Sequence, residues 1–240
     1  MNQNAIFRKK ARAALANHWT SMALFTLVYM VIMLIVRLPY MMEQVLAKLP
    51  LEDLASILEV ALEDLVSIRT IVSMPLLILY LFLVLFVIPV TWSFEVSFLT
   101  CLREKKGASL NKLFVGFSDY SRIFMTDLAV GIYLIFWTCL LIVPGIIKSY
   151  SYAMVNYILL DDPKIESGSA ISKSSRMMEG HRWQLFKLDL PFILLVLAGI
   201  LTLGIAWLWI IPWWNTSRAA FYEDLHSEYE EQEVLEIGEV

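Results

Sequence analysis

The residues able to do chemistry are few and widely spaced. Glu95, Asp127 and Asp189 are carboxylates in or beside long apolar runs, and Lys148 is an ammonium in the same setting. Ionisable groups at membrane depth mark proton relays, ion paths or buried ion pairs. Asp127 and Asp189 each fall about one turn into an apolar helix, where the helix dipole stabilises a carboxylate and headgroup water is within reach. Lys148 follows Pro144-Gly145 and suits either a side chain that snorkels to the outer interface or an intramembrane ion pair. A second group, Met177, Met178, Gly180, His181 and Trp183, is compressed into the polar interval 161–191. His181 comes just before Trp183 and His18 just before Trp19, a pairing that fits headgroup or partner-loop contact rather than catalysis.

None of these groups falls into a catalytic pattern. There is no GxSxG and no GxxxxGK[ST], and Ser172, Ser174 and Ser175 have no base at a defensible spacing. Cys101 and Cys139 lie in or beside apolar segments without a CxxC or Cys/His pattern, which argues against a metal site or a disulfide framework. The expectation is a protein without cofactor, metal or enzymatic machinery.

The elements that must carry these residues are membrane helices. The chain is 59% hydrophobic and 18% charged, with a mean hydropathy of +0.66, against about 45–50% and about 25% for an ordinary soluble domain. Its apolar residues come in runs approaching the roughly 20 residues that a bilayer core requires. The reading is all-α: six spans in three hairpins, at about 19–36, 71–90, 123–143, 146–160, 188–203 and 205–221, in a single membrane domain over 1–222. Pro144-Gly145 is expected to break the third span from the fourth, and Arg37, Pro39 and Tyr40 to close the first. The fourth helix can be read as spanning or as re-entrant. Trp137, Trp207, Trp209, Trp213 and Trp214 read as interfacial anchors.

Between the first two spans, Leu51, Leu54, Leu58, Ala61, Leu62, Leu65 and Ile68 recur at helical spacing opposite Glu52, Asp53, Glu59, Glu63 and Asp64. That predicts an extra amphipathic helix over about 50–69 in the first outside loop. The N-terminal segment is a short basic helix with Ile6, Ala13 and Ala14 on one side and Arg8, Lys9 and Arg12 on the other, as expected of a helix lying in the interface. The first apolar run is too long for a cleavable signal and lacks a small-x-small exit.

Charge sets the orientation. Arg8, Lys9, Lys10 and Arg12, the loop 103–122 and the loop 161–187 carry most of the basic residues, so positive-inside places both termini and both loops in the cytoplasm. The net charge of −4 is a property of the end of the chain: the last 18 residues hold eight acids and no Lys or Arg. Residues 223–240 read as an acidic, disordered cytoplasmic tail. No basic patch exceeds what topology explains, so nucleic acid is not an expected partner. Membrane lipids are, together with a protein partner or a second copy of the chain.

Three stretches align: ARAALANHWTSMALFTL, NKLFVGFSDYSRIFMTDL and SKSSRMMEGHRWQLFKLDL. Each places a basic amphipathic helix before a turn, an aromatic (Trp19, Tyr120, Trp183) and a span. Phe124-x-x-Asp127-Leu128 matches Phe186-x-x-Asp189-Leu190. The expected unit is a cytoplasmic interfacial helix feeding a hairpin, used three times.

The stretch from VPGIIKSYSYAMVNYILLDDPKIESGSAISKSSRMMEGHRWQLFKLDLPFI through GILTLGIAWLWIIP to AAFYEDL resembles the bacterial integral membrane family labelled domain of unknown function 975. The VPG turn, the MMxGHxW element and AAFYEDL carry the resemblance, which extends over most of the chain outside residues 43–70. It implies a multi-pass protein of the bacterial plasma membrane without an established activity. The architecture is distantly similar to the membrane portion attached to some glycerophosphodiester phosphodiesterases, whose catalytic domain is absent from this sequence. Asn156 stands where the family commonly has proline.

Two functions lead on these residues, ahead of a lipid-modifying enzyme, which would need a convergent acid/base set that the sequence does not display. One is a non-enzymatic membrane protein that contacts the inner leaflet or a partner, in envelope homeostasis, assembly or immunity-like protection. The other is a transporter or permease-like subunit with Glu95, Asp127 and Asp189 along a polar path between hairpins.

Overall fold

A computed structural model describes residues 3–58 and 61–238. Among these the chain is helical throughout, with no strand: α1 (Gln3–Leu15), α2 (Trp19–Ala47), α3 (Leu51–Leu58), α4 (Leu62–Glu104), a 3-10 helix (Leu110–Asp119), α5 (Tyr120–Leu140), α6 (Ile142–Ser151), α7 (Val155–Asp161), α8 (Ser167–Met177), α9 (Arg182–Gly199), a 3-10 turn (Ile200–Thr202) and α10 (Trp207–Gly238). Four stretches among the described residues are long and apolar enough to cross a membrane: Trp19–Ala47, Leu62–Glu104, Leu110–Leu140 and Arg182–Thr202.

The chain divides into two compact units, residues 29–88 and the remainder. In the smaller unit the apolar side chains point outward: Leu34, Ile35, Ile71, Ile78 and Phe82 are all more than half exposed. In water such a surface would be a large apolar patch; against lipid it is the ordinary exterior of a spanning helix. Tyr40 and Tyr80 meet within this unit, ring centroids 5.2 Å apart.

The first span does not close at Arg37, Pro39 and Tyr40. Helix α2 runs through Pro39 to Ala47, as apolar helices can where other groups satisfy the freed carbonyl. The expected amphipathic helix over about 50–69 is two pieces. Its first part is α3, and its second is the start of the 43-residue helix α4. Glu59 lies outside the described residues.

The larger unit has a packed core. Phe25 stacks on Phe94 at 5.6 Å and meets Phe98 edge-on at 6.2 Å. The 3-10 helix docks on α4 through Gly116, whose N–H donates to Ser93 Oγ at 2.7 Å while that hydroxyl donates to the Pro89 carbonyl at 2.7 Å. A Cβ on Gly116 would lie 2.5 Å from the Pro89 oxygen, so only glycine permits this approach.

The helices expected as the third and fourth spans separate at Leu141, which is extended (φ −162, ψ 142), not at Pro144-Gly145. Those two residues lie in the first turn of α6, where proline's missing N–H has no helical partner to lose. The expected single helix 146–160 is interrupted at Tyr152–Met154 into α6 and α7. Ser174 of α8 explains why the interruption is tolerated. Its buried hydroxyl donates to the Ser151 carbonyl at 2.8 Å and receives the Met154 N–H at 3.3 Å, satisfying backbone groups that the break releases.

The repeated order of short helix, turn and long helix is present: α1 before α2, the 3-10 helix before α5, and α8 before α9. The apolar faces of α1 and α8 are used inside the protein. α1 buries Asn4, Phe7, Ala11 and Leu15, not Ile6, Ala13 and Ala14, and Phe7 meets Phe221 of α10 at 5.6 Å. α8 buries Ala170, Ile171, Ser174 and Met177.

The acidic end is also corrected. Residues 223–238, expected as a disordered tail, continue α10 as far as Gly238. Contacts from Tyr222, Glu223, Asp224 and His226 to basic and acidic residues elsewhere in the unit hold the start of this extension, as described next. Glu239 lies outside the described residues.

Candidate functional site

Two polar clusters stand out in the larger unit, one within the helices and one at their basic end. The inner cluster begins with Asp189. The residue is 2% exposed, and its Oδ1 accepts a hydrogen bond from Trp214 Nε1 at 2.6 Å and faces Arg218 Nε at 3.6 Å. The residues belong to the antiparallel pair α9–α10, whose packing is set by Phe192 against Trp213 at 4.9 Å and by Trp207 Nε1 donating to the Val196 carbonyl at 2.9 Å. Gly199 sits directly under the Trp207 indole. Three of the five tryptophans expected as interfacial anchors therefore hold hydrogen bonds to their own chain: Trp207, Trp213 and Trp214.

Glu95, on α4, accepts a hydrogen bond from Asn156 Nδ2 at 2.7 Å. Glu95 and Asp189 both lie within electrostatic range of Arg218, and Asp127 is within range of Glu95. The structure thus brings two of the carboxylates singled out in the sequence, Glu95 and Asp189, near one guanidinium that the sequence reading passed over, with Asp127 near Glu95. Arg218 sits in AAFYEDL's approach, SRAAFYEDL, and a lone Arg one turn after Trp214 was the available signal. Tyr157 is fully buried among these groups, stacked on Tyr222 at 5.0 Å, and its hydroxyl has no hydrogen-bond partner. A buried hydroxyl left unsatisfied costs about 1–3 kcal/mol.

The outer cluster is built on Arg103 at the end of α4. Its guanidinium forks onto Asp161 with bonds of 2.5 and 2.8 Å and bonds Glu223 of α10 at 2.5 Å. Tyr222 donates to Asp161 at 2.8 Å, and His226 stands 3.9 Å from the same carboxylate. Partial burial alone would raise the Asp161 carboxyl, but hydrogen bonds from Arg103 and Tyr222 outweigh it and hold the group below the usual carboxylate range. Arg122 ties α5 to the same end, donating to the carbonyls of Asp162 and Leu159 at 2.9 and 3.0 Å. Lys10 of α1 faces Asp224 at 3.9 Å.

The compressed group around Gly180 is mainly architectural. Gly180 has φ +81, a left-handed conformation that ends α8 and suits glycine. Met177 and Met178 are buried at 3% and 0% exposure. His181 stands 4.0 Å from Glu228 and lines a cleft of about 520 Å³ with Arg176, Glu179, Glu228 and Tyr229. Trp183 is 65% exposed and stacks on Phe186 at 5.0 Å. His18 is not placed like His181, since it hydrogen-bonds the Lys105 carbonyl at 2.9 Å. Lys148 lies 5.0 Å from the Trp137 ring centre, a cation–π contact.

Residues 138–229 match the model of a family described as "Protein of unknown function (DUF975)". The matched stretch runs from the end of α5 into α10 and includes Asn156, Tyr157, Ser174, Gly180, Asp189 and Arg218. It bears out the resemblance over a shorter stretch than the sequence motifs suggested. No curated protein and no solved structure matches the chain.

Proposed function

From a match over residues 138–229 to a family without an assigned activity, we propose that this chain is a non-enzymatic multi-pass protein of the bacterial plasma membrane. It has six spans in three hairpins and both termini in the cytoplasm, and it acts as a docking platform for a protein partner at the inner leaflet. Envelope homeostasis, assembly or immunity-like protection is the setting this suits. The supporting observation is the Arg103 fork, which joins the ends of α4 and α7 to the acidic part of α10. With Lys10 and Arg122 it converts segments that topology alone would leave as loops into a preformed polar face. Pre-organisation of this kind lowers the entropy lost when a partner binds.

A photo-crosslinking residue at exposed Ser172, used in native membranes, tests this reading. The platform predicts a discrete protein adduct that is lost in a Lys173→Gln, Arg176→Gln, Arg182→Gln variant that still inserts. Lipid adducts alone, or a protein adduct indifferent to those charges, contradict it.

The inner cluster favours a second reading, a transporter or permease-like subunit with a polar path along Glu95, Asp127 and Asp189. Ionisable residues inside a helical bundle mark such paths, and the unpartnered Tyr157 hydroxyl among them is the specific observation in its favour. Reconstituted vesicles that pass neither protons, ions nor small solutes rule this reading out.

A further inference from the structure

We propose that the groove between α1 and α10 is a binding site for the phosphate of an anionic phospholipid of the inner leaflet, held by Arg8, Lys9 and Arg12 against Trp213. The groove encloses about 300 Å³ and is lined by Ala5, Arg8, Lys9, Arg12 and Trp213. Helical spacing puts the four α1 residues on one face, next to the face that buries Phe7 and Ala11. Trp213 forms the opposite wall. Its indole N–H donates to the Arg8 carbonyl at 3.2 Å, and the Arg12 guanidinium lies 4.0 Å over its ring.

Charge sets this groove apart from its surroundings. Lys10, also on α1, faces Asp224, and Arg103 and Arg122 each have carboxylate partners. Among the described residues no carboxylate lies within ion-pair distance of Arg8, Lys9 or Arg12, although α10 is rich in acids. Three cations on one face repel each other and attract an anion from outside the protein. Guanidinium groups suit a phosphate especially well, because their planar donors bind two oxygens at once.

Depth selects the source of that anion. On one side of α1, Asn4 donates to the Gln184 carbonyl at 3.1 Å; on the other, Trp213 packs on Phe192. These two levels are about 12 Å apart along α9, at 1.5 Å per residue. Between them, exposed Lys187 reaches back toward Trp183, 6.0 Å from its ring, as a lysine does at the water boundary. The groove therefore falls in the headgroup layer, where lipid phosphate is the abundant anion and a basic pocket between helices binds anionic lipid. This rests on the membrane-spanning part of the proposed function, but not on its docking role.

Native mass spectrometry of the full chain, released from detergent with phosphatidylglycerol or phosphatidylcholine added, tests the site. The expected result is preferential retention of phosphatidylglycerol, reduced about tenfold in Arg8→Gln/Arg12→Gln, as loss of one strong charge-assisted contact gives. Lys105→Gln/Lys106→Gln, which removes the same charge elsewhere, is expected to retain it. Equal retention of the two lipids by the wild-type protein, or equal losses in both variants, overturns the site. Displacement of phosphatidylglycerol by inorganic phosphate at comparable concentration would show a free-anion site and overturn the lipid assignment. The wild-type comparison decides the matter even if the arginine variant does not fold. Extraction of the wild-type protein by alkaline carbonate would instead overturn the membrane reading itself.

Discussion

Residues 29–88 and the rest of the chain are both strongly apolar, yet they are held together differently. In the smaller unit many side chains of α2 and α4 face outward, and a polar contact such as Thr70 Oγ1 to the Val66 carbonyl at 2.9 Å is local. In the larger unit polar side chains connect residues far apart in sequence: Asn4 with Gln184, Arg103 with Asp161 and Glu223, Ser174 with Ser151. The first arrangement needs only a solvent as apolar as itself. The second specifies one arrangement of short helices, because each buried polar group has few partners that can satisfy it. A unit fixed by specific polar pairs can present a defined face or cavity, while an outward-facing apolar surface suits an apolar surrounding.

Substitutions can break this contrast, the largest effect first. Arg218→Leu leaves buried Asp189 without its cation and is expected to destabilise the protein by about 3–5 kcal/mol, read from unfolding in detergent. Adding Asp189→Leu to that variant should recover much of the loss; if the single and double variants are equally unstable, the pair is not coupled. Ser174→Ala removes the hydroxyl that fills the break between α6 and α7, and a loss of about 1–3 kcal/mol is expected. Hydrogen exchange at Met154 should rise in the same variant.

Asp161 supplies a pH test. Its folded-state pKa is depressed, so its contribution is complete above the unfolded value near about 4 and disappears as pH falls through the lowered folded value. The stability difference between wild type and Asp161→Asn should therefore be flat above about pH 5 and shrink as the solution is acidified below about pH 4. The smallest effect belongs to the other unit. Phe82 is 67% exposed, and Phe82→Leu should change stability by no more than about 0.5 kcal/mol. A larger loss would mean that this surface packs against protein.

How much of this was legible in the sequence follows from the same contrast. Apolar runs reveal long helices directly, so α2, α4, α5 and α9 were visible, and the order of short helix before long helix followed from the three aligned stretches. Periodicity also showed that α1 and α8 are amphipathic, but not what covers them. An apolar stripe reads alike whether it meets lipid or Phe221. The break at Tyr152–Met154 was invisible because nothing in YSYAMVNYI disfavours a helix; it depends on Ser174, which arrives from another element. The acidic residues 223–238 read as a tail on composition, since their partners Lys10 and Arg103 are distant in sequence. Glu95, Asp127 and Asp189 were legible as charges in apolar surroundings, whereas Arg218 was obscured near the expected end of the sixth span at about 221, where a cation needs no special account.

The most direct test of the preformed face is proximity between α1 and the acidic part of α10 in native membranes. In a Cys139→Ser background, which removes the exposed native thiol, Lys10→Cys and Asp224→Cys are joined by a short bis-maleimide. The structure predicts efficient intramolecular crosslinking, and the proposed topology adds that both thiols are labelled from the cytoplasmic side. Two thiols that each react singly but never crosslink would contradict it and return residues 223–238 to a free tail.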